Sequence, residues 1–324
     1  NAVEKSNASL TQQEENGFLG YAKTIQAHEL LLVLNHQYQN GIRLDVADPD
    51  NLGPFVGYDE ALAGIAALLD EATGLLSNAG PEFIFFLSSG INALSGGNDI
   101  TPIEFAEFTQ ALAARVALYR GNKAEALEFV NKSFMDIDGD MYKGVYHAWG
   151  TSGNDLPNPL FYVPNVNKRT VHPSWLADAE PGDNRIAQKS TPYDPDEIAV
   201  PVTADNLSGD TQVSIYSSNV DPVPLIRNEE LILIYAEANI GVNNTEAVRA
   251  IDAVRAAAGL GPWAGDREDN DAVLDEVIHQ RRYGLFGEGH RWIDMRRLGR
   301  LDELPLDRPG DKVHVQFPRP VSEG

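Results

Sequence analysis

Apolar residues recur at helical spacing along most of the chain. Between residues 59 and 78, Leu62, Ile65, Leu69, Ala72 and Leu76 fall at i, i+3, i+7, i+10 and i+14. That is one stripe of an amphipathic helix, with Asp59 as its expected cap. Residues 7 to 40 predict a longer helix with Phe18, Ala22 and Ile25 on one face, running into the wholly apolar Leu30 to Leu34 and ending near Gly41. Thr101-Pro102-Ile103-Glu104 is a capping box with proline at the first helical position. Behind it Phe105, Phe108, Leu112, Val116 and Tyr119 mark a helix that Gly121 stops. Asn122 restarts the chain into a partner helix carrying Ala126, Phe129 and Val130. A second hairpin follows from Leu225. Leu231 to Tyr235 is too dense an apolar run for an exposed helix, so this helix is expected to be buried on most sides. Gly241 ends it, Asn244 or Thr245 caps the next, and Ala247, Ile251, Val254 and Ala258 line one face before Gly259. Leu274, Ile278, Arg281 and Leu285 predict one more amphipathic helix.

Residues 136–224 break this pattern. Ten of the nineteen prolines lie between Pro157 and Pro224, and the helical period vanishes. Short strands are expected at Gln212 to Tyr216 and Leu160 to Val163. A stretch this long without helices is a loop-built functional region or an irregular subdomain. The chain therefore reads as an all-α, tetratricopeptide-like helical-repeat protein with a large irregular loop-rich region. Residues 1–135 and 225–300 form the scaffold, 136–224 the ligand region and 301–324 a C-terminal tail, together a single domain over 1–324.

Composition narrows the function. A net charge of −23, from 48 acidic and 25 basic residues, argues against nucleic acid and against adsorption to anionic lipid. No apolar run reaches the ~20 residues of a membrane-spanning helix. The chain has no cysteine, so disulfides, thiolate nucleophiles and cysteine zinc sites are excluded. No nucleophile elbow, phosphate loop, dinucleotide-binding glycine pattern or His-Glu-x-x-His helix is present, and His28 and His36 are eight apart rather than four. A glycosidase carboxylate pair is a spatial arrangement that no single sequence reveals among so many acids. Asp136, Asp138 and Asp140 start like a calcium loop, but Met141 stands where the glycine belongs and His147 where the glutamate belongs. Asp45, Asp48 and Asp50 read as turn residues. No cofactor and no metal site is expected.

Two clusters remain. Arg281, Arg282, Arg291, Arg296, Arg297 and Arg300 form a dense cationic set interleaved with Glu276, Glu288 and Asp294. It is either an anion site or a fold-stabilising network of ion pairs and helix-end carbonyl contacts. The interleaved acids favour the network. The second cluster is aromatic: Tyr142, Tyr146, His147 and Trp149, then Asn154, Asp155, Asn158, Phe161 and Tyr162, then His172 and Trp175. Rings stack on the apolar faces of sugars while Asn and Asp bond to hydroxyls. Tyr146, Trp149, Asn154, Asp155, Tyr162 and Trp175 are therefore the candidate ligand-binding residues. The competing role for each ring is to pin loops onto the scaffold. Trp292 is expected in the core, and Trp263 fits either role.

The run YAEA, then AVRAIDAVRAAAGL, then QRRYGLFGEGHRWIDMRR resembles the RagB/SusD family of nutrient-binding outer-membrane lipoproteins of Bacteroidetes-type bacteria. The match is best over residues 100 to 135 and 222 to 320. The resemblance implies a scaffold of four tetratricopeptide-like repeats with ligand loops on it. It also implies a cell-surface position as lid of a SusC-type TonB-dependent transporter, and capture of oligosaccharides, or in some branches peptides, without catalysis. Family members carry an acylated N-terminal cysteine and a further helical segment, so both are expected ahead of Asn1; FPRPVSEG resembles the family's C-terminal tail. The arginine motif is scaffold by the same resemblance, and the ligand loops are the variable part. Alternatives with distinct ligands are a peptide-binding lid, a tetratricopeptide-type protein adaptor and a glycoside hydrolase.

Overall fold

The computed structural model describes residues 9–166 and 168–321. The predicted start of the first helix at residue 7 and the last three tail residues lie outside that range. In chain order the elements are α1 (Gln12–Gln37), β1 (Ile42–Arg43), β2 (Phe55–Val56), α2 (Tyr58–Ser77), α3 (Ser89–Asn92), α4 (Pro102–Tyr119), α5 (Lys123–Lys132) and β3 (Gly144–His147). Then come α6 (Pro173–Ala177), α7 (Asn184–Lys189), β4 (Ser190–Pro192), β5 (Val202–Ala204), β6 (Leu207–Gly209), β7 (Thr211–Val213) and β8 (Val223–Arg227). The chain closes with α8 (Asn228–Asn239), α9 (Asn244–Ala257), α10 (Asn270–Gly284) and α11 (Arg291–Arg297).

The long helices pack in succession: α1 on α2, α2 on α4, α4 on α5, α5 on α8, α8 on α9 and α9 on α10. This is a helical-repeat array in which each helix mainly meets its neighbours. The α2 stripe is buried as its spacing requires. Its cap is Gly57 rather than Asp59, which instead sits in the first turn against the positive helix end. The Thr101–Glu104 capping box forms reciprocally. An equivalent box at Thr11–Glu14 opens α1 and sets its start five residues later than the apolar pattern implies. Asn243, one position early, caps α9.

Helix α8 is the shared wall of two cores. Leu231, Ile234 and Ala238 face the larger core with α1, α2 and α4, and Ile232, Leu233 and Ala236 face the smaller one with α9 and α10. Leu231 to Ile234 are completely buried, each contributing about 1.5–3 kcal/mol. Leu225 to Arg227, expected as the first turn of this helix, are extended instead. They belong to β8, which pairs antiparallel with β3 in the register Gly144↔Arg227 and Val145↔Ile226. Ladder bonds to a distant strand override the local helical pattern.

The loop region holds two short helices and pieces of three two-stranded sheets, β3–β8, β4–β7 and β5–β6. The strand expected at residues 212–216 is β7, three residues long. Residues 160–163 are turn and coil, with Phe161 bonded back to the Asn158 carbonyl. The acidic loops fold as turns: the Asp45, Asp48, Asp136 and Asp140 carboxylates each accept a backbone N–H two residues on.

Candidate functional site

Most arginines of the last motif, and several that meet it from other elements, are spent on the fold. Arg115 makes two bonds of 2.7 and 2.6 Å to Glu230, both groups buried. Arg297 pairs with Glu237 and Asp294, and Arg281 with Asp294 at 2.7 Å. Arg296 donates to the carbonyls of Asn35 and Val315. Arg227 joins Glu229, Glu288 and the Gly284 carbonyl, while Lys189 donates to the carbonyls of Tyr283 and Gly284 at the end of α10. Burial works against the charge on Glu230, yet Arg115 and His290 hold its carboxyl down at about 2. The same balance, with Arg281 and Arg297 as partners, holds Asp294 at about 2.

Over this network lies an aromatic face. A bulge between Val145 and Tyr146 turns the end of β3, re-aiming the Tyr146 ring. Gly90 of α3 presses on the Tyr146 backbone so closely that an added methyl would collide with its carbonyl. The Tyr146 hydroxyl donates to the Tyr142 carbonyl. The buried Arg227 guanidinium lies 5.3 Å from the centre of the exposed Tyr142 ring. Tyr216, from the loop after β7, completes the group. Burial pushes both the Tyr146 and Tyr216 hydroxyls up to about 12, and both feel Arg227 and Glu288. Sequence reasoning missed Tyr216, because nothing local ties it to tyrosines some 70 residues earlier.

Trp149 lies three residues beyond Tyr146. Its ring meets His147 edge-on at 4.2 Å, and its buried indole N–H has no acceptor among the described residues. Exposed Asn154 and Asp155 lie in the adjoining turn, with the Asp155 carboxylate packed on Gly150. Trp149, Asn154 and Asp155 thus fall in one local unit, a few residues along the chain from Tyr146. Tyr162 does not join it through any ring contact; it lies half-buried under the Arg169 guanidinium, 4.0 Å from its ring centre.

Trp175 requires a correction. It is 3% exposed and belongs to a small separate core with Val171 and Tyr283, its ring stacked on Phe286 at 4.4 Å. Its large apolar area anchors α6 to α10 and leaves no face for stacking with Tyr146 and Trp149. Trp292 packs against the larger core as expected, but is only half-buried; it stacks on Phe317 of the tail at 5.6 Å and donates to the His314 carbonyl. Trp263 packs against the smaller core.

The face presents rings held rigidly from below and polar side chains at the edge. It can stack against a flat apolar surface and bond to hydroxyls around it. Among the described residues, no helix is long and apolar enough to cross a membrane.

Residues 203–316 match the SusD family model. The chain is similar to the SusD-like protein P38 of Formosa agariphila, 27% identical over 172 residues, covering 48% of this chain. It spans 31% of that relative's length. The fold is shared with a SusD superfamily protein from Bacteroides vulgatus (TM-score 0.65, 15% identity, 93% of this chain and 71% of the other). It is shared as well with surface glycan-binding protein A from Bacteroides uniformis (TM-score 0.63, 15% identity, 90% and 69%).

Proposed function

We propose that this chain is a non-catalytic glycan-binding protein of the bacterial outer-membrane surface. It captures oligosaccharide on the Tyr142, Tyr146, Trp149 and Tyr216 face and passes it to a SusC-type TonB-dependent transporter. The observation that carries this reading is the aromatic face itself, with rings locked over a buried charge network and Asn154 and Asp155 exposed beside them. The match of residues 203–316 to the SusD family model and the shared fold with a protein named for surface glycan binding support it. In this reading the helical array is one scaffold and residues 136–224 carry specificity. Transfer to a transporter and anchoring in the outer membrane rest on the family resemblance.

The test is a glycan array followed by titration of the best ligand. Trp149→Ala is expected to weaken binding by about 1–3 kcal/mol, roughly 5- to 150-fold, as for a desolvated aromatic anchor. Unchanged affinity for every recognised glycan overturns the site. Binding to a peptide library with no glycan recognised replaces the ligand class. Steady release of reducing ends by purified protein overturns the non-catalytic reading. Co-purification of a large β-barrel protein with this chain supports the transporter arm, and its absence from cells that carry both removes it.

A further inference from the structure

The turn between α10 and α11 borders a second site. Glu288 in this turn faces the tyrosines, while Phe286, Gly287 and Gly289 line a cavity of about 620 Å³. Two stacked aromatic pairs contribute to its wall, Trp175 on Phe286 and Trp292 on Phe317. Its charged lining is unbalanced. Asp178 is committed to Arg282 at 2.8 Å, and Glu303 to Arg300. His172 pairs with Asp307. Arg281, 3% exposed, gives only its Nε to Asp294; its Nη1 and Nη2 are buried and meet no acceptor among the described residues. Half-buried Arg291 makes no hydrogen bond or ion pair with any described residue; burial and the nearby Arg282 lower its pKa, with Asp294 and Glu303 only partly offsetting them. A buried guanidinium normally finds a carboxylate or carbonyl, as every neighbouring arginine of this motif does. Here one arginine is half-satisfied and another has no partner, in a chain whose overall charge is −23.

We propose that this cavity binds a small organic oxyanion, a carboxylate or sulfate ester carried on a flat or sugar-like ring. Arg291 holds the anionic group, Arg281 supplies positive potential from the cavity floor, and the ring lies against Trp292 and Phe286. The lining of the site fits that chemistry: a forked donor that can meet two oxygens of a carboxylate or sulfate group, beside aromatic walls. The site stands on its own observations and does not depend on glycan binding at the tyrosine face.

The experiment is isothermal titration with benzoate, glucuronate and glucose 6-sulfate, each against a neutral control, benzyl alcohol or glucose. Saturable binding of at least one anion, absent for its neutral control and at least tenfold weaker in Arg291→Gln, is the expected result. Glucuronate and glucose 6-sulfate distinguish carboxylate from sulfate. Arg249→Gln, which removes an exposed charge on α9 paired to Glu246, is expected to leave binding unchanged. Equal response to anion and neutral control, no saturable binding, or equal weakening by both arginine variants overturns the proposal. Circular dichroism checks the fold of Arg291→Gln. Should that variant fail to fold, Arg291→Lys keeps the charge but loses the fork, and is expected to weaken binding severalfold; unchanged affinity there counts against the site.

Discussion

The Arg115–Glu230 pair makes a sharp test of how this fold is held. Its two bonds are 2.7 and 2.6 Å long, Arg115 is 4% exposed and Glu230 is 1% exposed. Arg115 also donates to the Leu225 carbonyl, so the pair ties α4 to the start of α8 and to the last strand of the loop region. Replacing Arg115 by Met leaves Glu230 buried, with His290 at 3.5 Å and the more distant charge of Arg281 as its remaining neighbours. Burial keeps that histidine's pKa low despite Glu230, so it is a poor substitute for a guanidinium at neutral pH. The expected loss is about 3–5 kcal/mol, the cost of an uncompensated buried charge. The double variant Arg115→Met, Glu230→Leu removes the stranded charge, and should recover to within about 1–2 kcal/mol of the parent. The assay is urea unfolding followed by circular dichroism, comparing midpoints and slopes at pH 7. A single-variant loss below about 1 kcal/mol, or a double-variant loss equal to the sum of the singles, refutes the reasoning.

The same pair sets an acid limit. The Glu230 carboxyl is lowered from 4.5 to about 2 in the folded state, so its contribution is full above the unfolded value and is lost as pH falls through the folded one. Unfolding midpoints should therefore drop between about pH 4.5 and 2, and less so in the Arg115→Met, Glu230→Leu variant. His28 acts in a higher window. Burial lowers its pKa from 6.5 to about 4, so the unfolded chain gains a proton first and stability falls as pH drops from 6.5 towards 4. His28→Leu should flatten thermal midpoints across that window; an unchanged slope contradicts the assignment. Thr101→Ala removes one half of a reciprocal cap and should cost about 1 kcal/mol in urea unfolding. Gly90→Ala forces the Tyr146 carbonyl aside, so glycan affinity and stability should fall together, the latter by about 1–3 kcal/mol. Full retention of glycan binding in that variant would show that the strand end carries no ligand contact.

The helices were legible because burial on one side imposes a 3.6-residue period, as Leu62 to Leu76 and Phe105 to Tyr119 show. The capping box at Thr11–Glu14 stands in the same letters, yet the apolar pattern, read without it, carried the helix back to residue 7. The pairing of β3 with β8 was not. Gly144 and Arg227 meet across more than eighty residues, and a strand of four or five residues carries too little alternation to stand out. The arginine motif announced ion pairs through its interleaved acids, but not which acid each arginine would take: Arg297 reaches back sixty residues to Glu237 on α8. Residue type alone could not separate Trp149 from Trp175. Both are tryptophans in irregular sequence, and only the position of Tyr283 and Phe286 on the facing helix decides that one is an anchor.

The buried network and the exposed rings are not independent parts. Arg227 and Glu288 lie beneath Tyr142, Tyr146 and Tyr216, and Arg227 also closes the carbonyl end of α10. A ring that stacks on a ligand gains most when it does not have to be ordered first. Long polar side chains would lose rotamer entropy on binding, whereas these tyrosines have already lost it in folding. The network thus offsets the cost of rigid rings with the stability of a helical core. It follows that changes at Arg227 alter stability and affinity together, while Trp149, which leans on His147 and touches none of these ion pairs, can vary with the ligand and leave the scaffold intact.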